Sequence, residues 1–114
     1  DTAADKTART EAIEKASQYA AEVPFKVMQT AYKAQDLLKA MLDMGNKPSV
    51  TDAGVGALCC LTAIEGAYMN VRINTKDLSE KEFADRLNTD ALALLTEAQK
   101  VLGAITTEVH NRIV

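Results

Sequence analysis

The sequence predicts an all-α fold, a bundle of long antiparallel helices, and three observations carry that prediction. Apolar residues return at helical spacing along most of the chain. Stop and cap signals divide it into segments of helix length. No alternating apolar–polar run bounded by hairpin turns occurs, nor any repeat of solenoid length. At 114 residues, with 47% hydrophobic and 25% charged residues, the chain has the composition of one folded domain rather than a disordered or low-complexity segment.

The first segment, Lys6 to Ala21, is rich in Ala, Glu, Lys and Gln and sets Ala12, Ile13, Ala16, Tyr19 and Ala20 on one helical face. Pro24 lacks an amide hydrogen and disfavours helical angles at Val23, so a break or kink is expected there, with a second helix opening at the proline. That helix runs to about Asp43 on Val27, Met28, Ala31, Leu38, Met41 and Leu42. Gly45-Asn46 then supplies a stop able to adopt left-handed angles.

Ser49-Val50-Thr51-Asp52 fits a capping box, so a third helix is expected from there to about Thr75. Between Ala53 and Ile64 it is apolar on nearly all sides, and Gly54, Gly56, Gly66 and Ala67 let another backbone come close, which marks it as the central helix. Ser79 with Glu82 repeats the capping pattern ahead of Phe83, Leu87, Leu92, Leu95, Ala98, Leu102, Ile105, Val109 and Ile113. This last helix, with a kink expected near Gly103, would extend ~50 Å, so part of its stripe is expected to pack against another chain or a further segment.

The net charge of −3 comes without a basic block, which argues against a nucleic-acid partner. The uncharged run from Ala53 to Ile64 ends at Glu65, short of the ~18 apolar residues of a bilayer span, so no membrane partner is expected. Asp1-Thr2-Ala3-Ala4-Asp5 lacks the basic and apolar regions of a signal peptide, and a cytoplasmic location is the default. The adjacent Cys59 and Cys60 cannot form an ordinary disulfide with each other and read as buried or half-buried thiols.

Little here carries obvious chemistry. His110 is the only histidine and has no neighbours at zinc-ligand spacing, so no metal is expected. No nucleophile elbow, phosphate loop or dinucleotide fingerprint occurs. The turn from Gly45-Asn46 to Ser49 and Asp52 exposes amides at a helix start, a natural anion or amide site, although a helix stop followed by a cap explains the same residues. Asn70 and Asn74 share a helix face and can grip a heterocycle or satisfy neighbouring polar groups.

Asn70-Val71-Arg72-Ile73-Asn74 after Gly66-Ala67-Tyr68, together with Gly45-Asn46-Lys47-Pro48-Ser49-Val50-Thr51-Asp52 and Ala21-Glu22-Val23-Pro24, resembles the cyclodeaminase/cyclohydrolase family. The likeness is to the cyclodeaminase domains of formimidoyltransferase-cyclodeaminases and covers about Lys6 to Val114. It implies an all-helical, dimeric folate enzyme of histidine degradation. Such an enzyme closes 5-formimidoyltetrahydrofolate to 5,10-methenyltetrahydrofolate and releases ammonia, with tetrahydrofolate as substrate carrier and a formimidoyltransferase fused or separate. Family domains begin with a glycine-rich helical segment absent here, so the chain resembles the C-terminal part of such a domain.

Asp1-Thr2-Ala3-Ala4 resembles the family's Asp-x-x-Ala segment, which implies Asp1 as the catalytic carboxylate, although the longer stretch that usually follows is missing. Ring closure takes a proton from N10 and gives one to the departing amine, work that one carboxyl group can do. The resemblance also implies Gly45, Asn46, Ser49, Asp52, Asn70 and Asn74 as substrate-binding residues. Lys26, Arg72 or Lys76 would meet the glutamate tail of a folate, polyglutamylated or not, but stay outside the site set because surface lysines are usually only solvated. Two other readings compete: a methenyltetrahydrofolate cyclohydrolase of the same family, and a non-catalytic helical dimerisation module.

Overall fold

The computed structural model describes all residues, Asp1–Val114. Four helices follow one another, α1 (Ala3–Lys33), α2 (Gln35–Met44), α3 (Lys47–Thr75) and α4 (Lys81–Arg112), with no strand. They form a rod of 69 × 19 × 17 Å. That length exceeds α4, whose 32 residues extend about 48 Å, so α1 and α2 lie nearly end to end. α3 packs against the other three helices, and its inner residues Val50, Ala53, Ala57, Ile64 and Val71 meet Met28, Leu87, Leu102 and Ile105 in one core.

α1 begins earlier than expected because Thr2 and Asp5 make a reciprocal capping box: Asp5 N donates to Thr2 Oγ1 at 3.1 Å and Thr2 N to Asp5 Oδ2 at 3.0 Å. The break expected at Pro24 is absent, and α1 continues through it as one helix. A proline inside a helix costs about 3 kcal/mol, yet Ala21 and Met28 on either side are fully buried, and their packing holds the helix together across the missing amide. The interruption lies instead at Ala34 (φ −65°, ψ −16°), whose amide turns back to Ala31 O at 3.2 Å.

At the next turn Gly45 is extended (φ −80°, ψ 157°) rather than left-handed. Glycine is required there for space, since a Cβ would collide with the carbonyl oxygen of Met41 and the Cβ of Ser49. The cap of α3 also moves upstream from Ser49. Asn46 is the N-cap, its Oδ1 accepting the Ser49 amide at 3.2 Å and the Ser49 hydroxyl at 3.1 Å, with Pro48 in the first turn.

The Ser79–Glu82 capping box does not form either. α4 starts after Glu80 with no local side-chain cap, and the Glu14 carboxylate of α1 accepts the amides of Ser79 at 2.9 Å and Glu80 at 3.1 Å. Leu78, 1% exposed, pins the turn beneath it, and Thr75 bonds Asn88 at 2.9 Å. α4 passes Gly103 as uninterrupted helix. At the far end the Arg112 guanidinium donates to Leu42 O and to Glu108, tying the last turn of α4 to the end of α2.

α3 is central, as its composition suggests, but it is not enclosed. Its most apolar 18-residue window satisfies the length and composition of a membrane span, beyond what the uncharged run alone indicated, yet only 33% of it is buried. Val55, Leu58, Met69 and Ile73 remain exposed on the outer side. Cys59 is exposed there too, correcting the expectation of two covered thiols, while Cys60 is half-buried.

Candidate functional site

The α1 and α3 helices leave an open groove between them on the exposed side. One part, about 560 Å³, has Val23, Pro24 and Val27 on one wall and Thr62, Gly66 and Asn70 on the other. A second part, about 380 Å³, continues past Asn74 to Ile13, Ser17, Ile73 and Asp77. Asn74 belongs to both, so the two form one trough, mostly apolar with amides along one edge.

Residues placed together by the motifs therefore do meet in part: Pro24, Gly66, Asn70 and Asn74 line one surface. The Asn74 side-chain amide donates to Asn70 O at 2.8 Å, which fixes its orientation and leaves its carbonyl free, while the Asn70 side chain stays exposed. Beside them Arg72 lies over the Tyr68 ring, 5.9 Å from its centre, and bonds the phenol oxygen at 2.9 Å, so the cation is held against the helix.

Gly45, Asn46 and Ser49 come together at the other end of α3, where the contacts among them are those of a helix stop and cap. Asp52 is exposed one turn further along. About 18 residues at 1.5 Å each separate Asp52 from Asn70, some 27 Å, so one chain does not bring these two groups into one pocket.

Asp1 occupies a third place. Residues 1–13 are all exposed, and this arm of α1 sets Asp1 roughly 20 Å from Glu14, whose carboxylate bonds the α3–α4 turn. The Asp1 carboxylate pairs with Arg9 at 2.9 Å on that arm. The trough has a carboxylate of its own in Asp77, a residue of the turn after α3 that no motif singled out. Its position depends on α1 lying alongside the end of α3, which local pattern does not encode.

Electrostatics elsewhere in the molecule are quiet. The Ser79 amide, then Gln18 and the Glu80 amide, hold the Glu14 carboxyl below the usual range. Burial, with Cys59 adjacent, pushes the Cys60 thiol up and away from thiolate chemistry. His110 is exposed, and no three His, Cys, Asp or Glu side chains gather as a metal site.

The sequence profile described as formiminotransferase-cyclodeaminase matches residues 1–93. A methenyltetrahydrofolate cyclohydrolase from Methylorubrum extorquens is 28% identical over 109 residues, covering 96% of this chain and 50% of that protein. Formimidoyltransferase-cyclodeaminases from Rattus norvegicus and Sus scrofa are 30% and 31% identical, covering 92% and 98% of this chain and 20% and 21% of their own lengths. The chain thus spans half of the cyclohydrolase and about a fifth of the larger relatives. With the profile covering most of its length, the chain belongs to the formiminotransferase-cyclodeaminase family.

Proposed function

We propose that the chain is a unit of a formimidoyltetrahydrofolate cyclodeaminase, closing 5-formimidoyltetrahydrofolate to 5,10-methenyltetrahydrofolate with release of ammonia. The observation that carries this reading is the match to formimidoyltransferase-cyclodeaminases over nearly the whole chain. In the reaction N10 attacks the carbon of the protonated formimidoyl group (–CH=NH2+), the new C–N10 bond replaces the bond to that nitrogen, and the N10 proton leaves with it as ammonia, the positive charge staying on the methenyl product. One carboxylate suffices to carry the proton.

The trough suits a flat heterocycle, with an apolar floor for its faces and the Asn70 and Asn74 amides for its edge. Asp1 is the proposed proton carrier by its match to the Asp-x-x-Ala segment, and it reaches a substrate only if the projecting arm folds over or meets another chain. Asp77 stands nearer the asparagines. Tetrahydrofolate is substrate here, delivered in the cytoplasm by a formimidoyltransferase, fused or separate, within histidine degradation.

Asn70→Ala and Asn74→Ala are each expected to weaken tetrahydrofolate binding about tenfold, the loss of one or two hydrogen bonds. Unchanged affinity and turnover in both variants would remove them from the site. Comparing Asp1→Asn with Asp77→Asn identifies the proton carrier by which one abolishes turnover.

The second reading is a methenyltetrahydrofolate cyclohydrolase, favoured by the relative of that name matching 96% of the chain. Hydrolysis of the methenyl compound without ammonia release from the formimidoyl compound would select it.

A further inference from the structure

We infer that the crevice between α1 and α4 is a second binding site, separate from the trough, and that it takes a zwitterionic aromatic amino acid. Nothing in it depends on the folate reading above.

The two walls repeat one spacing, steps of three, one and three residues, from Glu22 to Gln29 on α1 and from Phe83 to Asp90 on α4, so each helix gives the crevice a single face. The walls run in the same direction, since Glu14 of α1 reaches the start of α4 while Arg112 at the end of α4 reaches Leu42 of α2. Seven residues of rise make the crevice about 10 Å long, and its volume of about 280 Å³ is at the small end for ligand pockets. On α1 this face is turned about half-way round from Val23, Pro24 and Val27, which line the trough.

Leu87 is buried at the base, and Phe25 and Phe83, both half-buried, line the opening. This apolar floor is local. The adjoining crevice along the same two helices, around Lys15, Gln18 and Glu80, has no hydrophobic side chain, so the face lacks the continuous stripe that a partner helix needs. A patch of this size takes one aromatic ring, in the offset or edge-to-face contact that phenylalanines favour.

Four charged side chains surround the floor. Lys26 and Arg86 hold the middle of the two walls, and Glu22 and Asp90 hold opposite ends. Each cation has a carboxylate four residues away on its own helix, yet neither closes into an ion pair, whereas Arg112 and Glu108 at the same spacing meet at 2.8 Å. The four charges sum to zero, so an anion alone gains little from the net field, while a zwitterion meets both signs. Its carboxylate bridges Lys26 and Arg86, and its ammonium meets Glu22, the half-buried acid of the two, through charge-assisted hydrogen bonds. The α-ammonium and α-carboxylate of an amino acid, joined through one carbon, suit the gap of about 5–6 Å between side chains four apart on a helix.

Titration calorimetry of the whole chain with L-phenylalanine is expected to show one site with a Kd of about 1 mM or tighter. The analogues 3-phenylpropanoate, which lacks the ammonium, and 2-phenylethylamine, which lacks the carboxylate, are each expected to bind about tenfold more weakly. Lys26→Gln and Arg86→Gln, both at exposed positions, are expected to weaken L-phenylalanine about tenfold each, and Lys100→Gln, exposed further along α4, is expected to change nothing. On saturation the amide resonances of Phe25 and Phe83 should shift and those of Asn70 and Asn74 should not.

No saturable binding up to about 10 mM, by protein shown by its circular dichroism to be folded, overturns the site. Equal binding of 3-phenylpropanoate overturns the zwitterion in favour of a simple anion. Binding that survives both glutamine substitutions, or that shifts Asn70 and Asn74 instead, overturns its placement between α1 and α4.

Discussion

The carboxylate of Glu14 on α1 accepts the two amides that open α4, and this contact between distant residues joins the first helix to the last turn of the bundle. Its carboxyl is held below the ordinary range by those amides, so the contact is fully present above the unfolded-state pKa of about 4.3 and is lost as pH falls through the lower folded value. Wild type is expected to melt above Glu14→Ala at pH 7, the two curves converging as the pH is lowered through and below the ordinary glutamate range. A gap that persisted unchanged at pH 2 would contradict this. Asn46→Ala, which removes the cap of α3, is expected to cost about 1 kcal/mol in denaturant unfolding. The Ser79–Glu82 pattern was present in the sequence, but a tertiary partner took the amides it would have used. Local motifs located the starts of α3 and α4 to within three residues, yet they do not reveal which group caps a helix.

At the level of helices, apolar spacing marked the helical segments and Gly45 divided α2 from α3, but the boundary between α1 and α2 was expected at Pro24 and lies at Ala34. Pro24 misled because its local cost is set against packing on both sides of it, which only the assembled core supplies. Pro24→Ala restores an amide to a continuous helix and is expected to raise stability by about 1–3 kcal/mol, read as a higher denaturation midpoint; a lower one would mean that the ring's packing beside Val23 and Val27 outweighs the lost hydrogen bond. Two glycines of α3 should respond differently to alanine. At Gly54 the new methyl would lie 2.9 Å from a Val109 methyl on a stiff side chain, an expected loss of about 1–3 kcal/mol. At Gly56 it would meet only the movable end of Leu38, and better helix propensity should leave stability unchanged or higher. Equal effects at both sites would contradict the close α3–α4 approach.

Across the whole molecule, the motif residues fall at three places along a 69 Å rod: the projecting arm with Asp1, the trough with Asn70 and Asn74, and the turn with Gly45, Asn46, Ser49 and Asp52. The family was legible in the sequence because motifs stand in a recognisable order. The distances between them were not, since order along a chain says nothing of separation along a helix about 43 Å long. Asp77 was missed for the same reason, being brought to the trough by the packing of α1 on α3.

Folate chemistry at that trough is tested most directly by incubating the protein with 5-formimidoyltetrahydrofolate while following the absorbance of 5,10-methenyltetrahydrofolate and free ammonia together. Predicted is equal accumulation of the two at a rate proportional to protein, abolished by Asn70→Ala combined with Asn74→Ala. No ammonia above the uncatalysed rate, from protein shown by its circular dichroism to be folded, would contradict it.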